Sequence, residues 1–169
     1  GKTGGTAVKQ AFDAYPFPWH RFGSLLIVFH DHHTALQDLP ANDRFFLFVR
    51  DPVARFVSGF DSRKRCGRPR RLVPWSRRER RAFVRFARPG DLADGLLADD
   101  PETRHEAVQA MHAIEHVRSQ QISWIGGSID ALERRRDRLV VLGRQETLQR
   151  DFEKLKTALG LPAALALPE

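Results

Sequence analysis

The chain has 169 residues, 41% of them hydrophobic, and 28 Lys and Arg against 21 Asp and Glu give a formal net charge of +7. That length and apolar content support a buried core and exclude a globally disordered chain, while the positive balance favours an anionic partner. A single cysteine, Cys66, excludes an internal disulfide framework and a cysteine-rich zinc module, and the longest apolar run, Leu25-Leu26-Ile27-Val28-Phe29, is too short to span a bilayer or form a signal-peptide core.

In chain order, Gly1-Lys2-Thr3-Gly4-Gly5-Thr6 precedes a helical pattern with Ala7, Val8, Ala11 and Phe12 at helix spacing. Tyr15-Pro16-Phe17-Pro18 stops that helix, because each proline removes a donor and restricts its neighbour. Three apolar runs, at 25–29, 45–49 and 139–142, read as buried, neighbouring strands of a parallel sheet. Asp51-Pro52 launches a helix expected to turn Val53, Phe56, Val57 and Phe60 inward, and residues 63–74 form a loop rich in Arg, Gly and Pro. Ser76 and Glu79 have the spacing of a capping box for a helix holding Phe83 and Phe86.

A longer helix is expected from about residue 101 to 125, with Val108, Met111, Ile114 and Ile122 on its apolar side and Gly126-Gly127 at its end. A final helix begins near Glu146, buries Leu148, Phe152, Leu155 and Leu159, and stops at Gly160-Leu161-Pro162. The expected class is α/β, with helices covering a mostly parallel sheet. No repeat or linker divides the chain, so residues 1–169 read as one domain.

Two motifs carry chemistry. Lys2-Thr3-Gly4-Gly5-Thr6 joins a cation, two glycines and two hydroxyls just before a helix, where backbone N–H groups can approach an oxyanion closely. Phe45-Phe46-Leu47-Phe48-Val49-Arg50-Asp51-Pro52 is a buried strand with an arginine at its C-terminal end, the edge at which open α/β sheets bind ligands. Arg50 can fork onto a phosphate, and Ser58, two turns into the following helix, can add a hydroxyl donor; the plainer alternatives are a surface salt bridge of Arg50 with Asp51 or Glu146 and a solvent-facing Ser58.

Together these motifs resemble the phosphoadenosine-phosphosulfate-dependent sulfotransferases, in particular the branch that contains carbohydrate sulfotransferases. That branch pairs a Lys-Thr-Gly-Gly-Thr loop with an Arg-Asp-Pro-x-x-Arg-x-x-Ser helix. The resemblance continues through His30-Asp31-His32 and through Gly143-Arg144-Gln145-Glu146-Thr147-Leu148-Gln149-Arg150-Asp151-Phe152, so it spans nearly the whole chain.

The resemblance implies a P-loop-like three-layer fold and the donor 3′-phosphoadenosine 5′-phosphosulfate (PAPS). It makes Lys2, Thr3, Gly4, Gly5 and Thr6 the loop that holds the 5′-phosphosulfate, with Arg50 and Ser58 the site of the 3′-phosphate. The reaction it implies is in-line transfer of a sulfuryl group to an acceptor hydroxyl, with Lys2 neutralising charge on the leaving phosphate oxygen. In this branch a His-x-His pair ends a strand and its second histidine is the base, which maps onto His32; His30 would orient it or the acceptor, and Asp31 would fix a tautomer. The family also has a strand leading into the loop. None precedes Gly1 here, so either the sequence is a fragment or the edge is covered otherwise.

The acceptor expected from the family is a carbohydrate hydroxyl; Arg63, Arg65, Arg68, Arg70 and Arg71, with His112, His116, Arg118, Gln120 and Gln121, would form a basic cleft beside the strand ends that hold His32 and favour an acidic saccharide, the alternative being that these arginines only keep the domain soluble. No nucleic-acid partner, transmembrane segment or metal is expected, and the location implied is cytoplasmic.

Two other functions compete. A P-loop nucleotide phosphotransferase gains from Gly1-Lys2-Thr3 and from Asp31 after an apolar strand, a Walker-B-like placement. A non-enzymatic polyanion or nucleic-acid binder would use the arginines of residues 63–88. Among weaker patterns, His112-Ala113-Ile114-Glu115-His116 fits the order of an inverted zinc-peptidase motif, Gly67-Arg68-Pro69-Arg70-Arg71 the core of a minor-groove hook, and Glu133-Arg134-Arg135-Arg136-Asp137-Arg138 a solvated, salt-bridged helix end.

Overall fold

The computed structural model describes residues 3–12, 19–31, 33–69 and 72–168. In chain order the first elements are α1 (Gly5–Ala11), β1 (Trp19–Phe22), β2 (Leu25–Val28), β3 (Phe45–Val49), α2 (Pro52–Lys64), α3 (Arg77–Arg85) and α4 (Pro89–Leu96). They are followed by α5 (Pro101–Ala113), α6 (Glu115–Arg118), α7 (Ile129–Glu133), β4 (Leu139–Arg144) and α8 (Leu148–Leu159). The fold is mixed α/β, and its contacts gather into two compact units, one of residues 3–51 with 121–169, the other of residues 52–120.

The first unit contains both small sheets. β3 and β4 pair in parallel, as the sequence predicts, from Phe46↔Val141 to Val49↔Arg144 after a register shift at Phe45. A Cβ on Gly143 would lie 2.3 Å from the Phe48 ring, so glycine there is what lets that ring lie across β4.

The 25–29 run does not join this sheet. β2 pairs antiparallel with β1, closing a hairpin through Gly23-Ser24, with Gly23 at φ +57°. Leu26 and Val28 are 47% and 45% exposed, so β2 is half-buried rather than enclosed on both faces. The expected row of three parallel neighbours is therefore corrected. A two-residue turn forces antiparallel pairing, whereas a parallel partner needs a crossover.

The hairpin still reaches the core through Ile27 and Phe29. Phe12, fully buried, makes edge contacts with Phe22, Phe29 and Phe152 at ring separations of 6.1, 5.1 and 5.9 Å. Val8, Phe48 and Leu155 complete the cluster, and α8 ends at Gly160, whose φ of +64° closes the helix in the left-handed region. Burying side chains of this size contributes about 1.5–3 kcal/mol each.

The second unit is helical. Its core holds Phe60, Phe83, Phe86, Leu92 and Ile114. Ser76 and Glu79 form the expected capping box at the start of α3. The inward face of α2 differs from expectation: Phe60 is buried, but Val53 is 70% exposed, and Arg55, Gly59, Ser62 and Arg63 lie inside instead. A Cβ on Gly59 would come 2.9 Å from the His116 carbonyl oxygen, so glycine there lets the backbone of α6 press against α2.

The long helix expected over residues 101–125 is broken. α5 ends at Ala113, Ile114 turns to extended backbone at ψ 109°, and a short α6 and the 3-10 turn Gln121–Ile125 follow. Burying Ile114 fully is the local gain that accompanies the break. Val108 and Ile122 are exposed, while Ala107 and Ala110 take the inward positions.

Candidate active site

Arg50 leaves the C-terminal end of β3 with its backbone held on both sides. Its N–H donates to Gln121 Oε1 and its carbonyl accepts from Gln121 Nε2, both at 2.8 Å. The next N–H, of Asp51, donates to Glu146 Oε1 at 3.0 Å, and the same carboxylate oxygen stands 3.9 Å from Arg50 Nε. The Arg50 side chain keeps 26% of its surface exposed, so its guanidinium is presented at the strand end, beside a carboxylate. Gln121 therefore positions Arg50, both ends of its amide being engaged by that residue's backbone.

Glu146 is itself placed by the turn after β4. Asp151, 4% exposed, accepts the Arg144 N–H at 3.0 Å and the Thr147 hydroxyl at 2.6 Å, closing the 3-10 turn Gln145–Thr147. Its other oxygen takes Arg150 and Lys154 at 3.3 and 3.1 Å. The Thr147 and Arg144 donors, with the two cations, outweigh burial and hold the Asp151 carboxyl well below the usual carboxylate range.

The same turn lies against Gly4. Gly4 is the N-cap of α1 at φ +82°, and a Cβ there would lie 2.5 Å from Gln145 Oε1 and 3.0 Å from Leu148 Cδ2. Only glycine accommodates both the left-handed backbone and that approach. Thr3 is 6% exposed, whereas Gly5 and Thr6 are open to solvent, so Thr6 is the loop hydroxyl that faces outward. The residues after β4 thus meet both motifs, the Gly4 turn through Gln145 and Leu148 and the Arg50-Asp51 strand end through Glu146.

The predicted residues fall in three groups. Thr3, Gly4, Gly5, Thr6, His30 and Arg50 belong to the first unit. Ser58, half-buried on α2, belongs to the second. Lys2 and His32, the expected charge-neutralising and base residues, lie outside the described residues, as do Arg70 and Arg71. His30 is exposed, one residue beyond Phe29, whose ring packs on Phe12 and on Phe46. Asp31 Oδ1 closes a turn with the residues that follow it. That oxygen accepts from the His33 N–H at 2.8 Å, the Thr34 N–H at 3.2 Å and the Thr34 hydroxyl at 3.3 Å, a turn whose amide donors lower its pKa.

Several expected polar groups prove structural. Arg63 is not part of a basic loop: it is 2% exposed and forks onto Glu79 at 2.7 and 2.8 Å, with further bonds to the Val73 and Pro74 carbonyls. Burial pushes the Glu79 carboxyl up, but Arg63 and the Ser76 and Glu115 N–H groups outweigh it, and its pKa is lowered to about 2. Arg135 is not a solvated helix end. Its guanidinium donates to the carbonyls of Leu36, Leu39, Pro40, Ala41 and Asp43 at 2.7–3.3 Å and lies over the Phe45 ring. His112 and His116 fall on separate helices, and among the described residues no cluster of His, Cys, Asp and Glu has the makings of a metal site. No described helix is long and apolar enough to cross a membrane.

The positioning roles of Gln121 and Asp151 escaped sequence reasoning, whereas Glu146 stands beside Arg50 as the salt-bridge alternative expected. Gln121 lies 71 residues from Arg50, a separation over which no local pattern operates. Comparison with protein-family models, curated proteins and solved structures finds no match.

Proposed function

We propose that this protein is a sulfotransferase that moves the sulfuryl group of PAPS to an acceptor hydroxyl, in a P-loop-like three-layer frame. One observation carries the reading: the turn after β4 touches both the Gly4 turn and the Arg50-Asp51 strand end, so the two sequence motifs share one support. A parallel strand pair with an arginine at its carboxyl end, beside a turn that only glycine can make, suits a ligand with phosphate groups.

In this reading Gly4, Gly5 and Thr6, with Lys2 and Thr3, hold the 5′-phosphosulfate, and Arg50 holds the 3′-phosphate; Ser58 is assigned by the motif alone. Lys2 neutralises the leaving phosphate oxygen as its bond to sulfur breaks. His32, aided by His30, takes the proton of the acceptor hydroxyl as the new oxygen–sulfur bond forms. The products are a sulfate ester and adenosine 3′,5′-bisphosphate. An acidic saccharide is the proposed acceptor, and the proposed location is cytoplasmic.

The phosphotransferase alternative loses support from this geometry. Asp31 follows an antiparallel hairpin strand, and its Oδ1 closes its own turn. Calorimetric titration with adenosine 3′,5′-bisphosphate, against ATP with magnesium, tests the proposal. Saturable bisphosphate binding that exceeds ATP binding is expected. Tighter magnesium-dependent ATP binding would overturn it in favour of the phosphotransferase.

A further inference from the structure

The second unit carries a cationic cavity lined by none of the residues assigned above to sulfuryl transfer. About 380 Å³ in volume, it is lined by Trp75, Arg77, Arg80 and Arg81. The arginines stand at i, i+3 and i+4 on α3, a spacing that puts them on one face of the helix. All three are exposed, and among the described residues none makes a side-chain hydrogen bond or ion pair.

That lack of internal compensation has a definite cause. The one acidic residue of α3, Glu79, points inward and is neutralised by Arg63. Arg85 and Arg88 have Glu106 and Asp91 beside them. Arg77, Arg80 and Arg81 are left with concentrated positive charge around a concavity.

Trp75 gives that concavity an apolar wall. Its N–H donates to the Arg63 carbonyl at 2.7 Å, and its ring lies 5.0 Å from that of Phe83, tilted by 36°. With N–H and one side engaged inside the unit, what remains for the cavity is ring carbon. A carbon surface flanked by guanidinium forks suits a ring whose substituents are oxyanions: the ring lies on the indole and the oxyanions take the forks.

We propose that this cavity binds compact ring compounds bearing several sulfate or phosphate groups. Three arginines within about one helical turn span only some 6 Å, which matches neighbouring substituents on one ring rather than the length of a nucleic-acid strand. The site rests on residues of the second unit alone and stands whether or not the sulfotransferase reading holds.

The test is calorimetry on the full chain with sucrose octasulfate and inositol hexakisphosphate as probes, repeated with a single-stranded oligonucleotide. The variants are R77Q/R80Q/R81Q, at exposed positions, and R134Q/R136Q, which removes exposed charge from the first unit. At least one ring probe is expected to bind saturably, with affinity falling roughly tenfold or more in the α3 variant and less than about threefold in the control. Tighter binding of the sulfated or of the phosphorylated ring identifies the source of the ligand, and either supports the site. Equal losses in the two variants, an unaffected α3 variant, or oligonucleotide binding with no affinity for either ring compound would each overturn it.

Discussion

Glu146 Oε1 accepts the Asp51 N–H at 3.0 Å while standing 3.9 Å from Arg50 Nε, so one carboxylate both fixes the strand end and sits beside its cation. A phosphate arriving at Arg50 meets an attractive guanidinium and a repulsive carboxylate together. Glu146→Gln keeps an oxygen for the Asp51 N–H and removes the negative charge. It is expected to tighten adenosine 3′,5′-bisphosphate binding by roughly three- to tenfold, more at low salt than at high salt. Arg50→Ala is expected to lose about 2–4 kcal/mol of that affinity. Calorimetry on both variants checks the pair, and unchanged binding in Arg50→Ala would move the 3′-phosphate elsewhere.

Gly4 and Gly5 separate a structural glycine from one needed for ligand approach. Gly4→Ala meets a left-handed backbone and a crowded neighbour, Leu148, and is expected to lose about 1–2 kcal/mol of stability. At Gly5, the first residue of α1, a Cβ meets nothing within 4 Å. Gly5→Ala is therefore expected to raise stability by about 0.4–1 kcal/mol, through a less flexible unfolded chain. If a phosphosulfate closes on this loop, the same variant loses bisphosphate affinity even as its melting temperature rises. A rise in both would remove Gly5 from the site.

The Arg63–Glu79 pair predicts an acid limb in stability. The Glu79 pKa is about 2 in the folded protein against 4.5 as its ordinary value. A depressed carboxyl stabilises the fold above its unfolded pKa, and that contribution fades as pH falls from near 4.5 toward 2. Its size at neutral pH is on the order of 3 kcal/mol. Glu79→Gln should flatten the pH dependence of urea unfolding in this window, and an unchanged slope would assign the acid limb to other carboxylates. Arg63→Met, which leaves Glu79 buried without its guanidinium, should cost about 3–5 kcal/mol, more than the double variant Arg63→Met/Glu79→Leu.

How much of this was legible depends on how local the physics is. The Ser76–Glu79 box, the β3 and β4 runs and the Gly160 stop are set by neighbours within a few residues, and each appears where the sequence placed it. The β1–β2 hairpin was legible too, through Gly23-Ser24 between two apolar-containing segments, but the continuous run at 25–29 resembles a buried parallel strand when read by composition alone. Arg63 and Arg135 mislead for another reason. An arginine in a run of arginines reads as solvated, and only the fold reveals that Glu79 faces the first or that five backbone carbonyls surround the second. The two motifs of the candidate site were legible as residues; their common support by Gln145, Glu146 and Leu148 was not, because it joins segments distant in sequence.

The Asp31 turn supplies the last prediction, on the proposed base. Asp31 Oδ1 gathers the His33 and Thr34 N–H groups, which ties Asp31 to the backbone of residues 33 and 34. His32→Ala should reduce turnover roughly 10²- to 10⁴-fold, the range for losing a general base, and leave bisphosphate affinity unchanged. Asp31→Ala removes the acceptor that holds the turn, so turnover should fall through misplacement of His32, again with bisphosphate affinity intact. Asp31→Asn retains an amide oxygen for those N–H groups and should recover much of the loss. A carboxylate acting directly on the reaction would not be replaced by that amide, so an asparagine variant as impaired as the alanine one would turn the assignment around. If His30→Ala or His33→Ala rather than His32→Ala abolishes turnover, the register of the resemblance is off by two residues or by one.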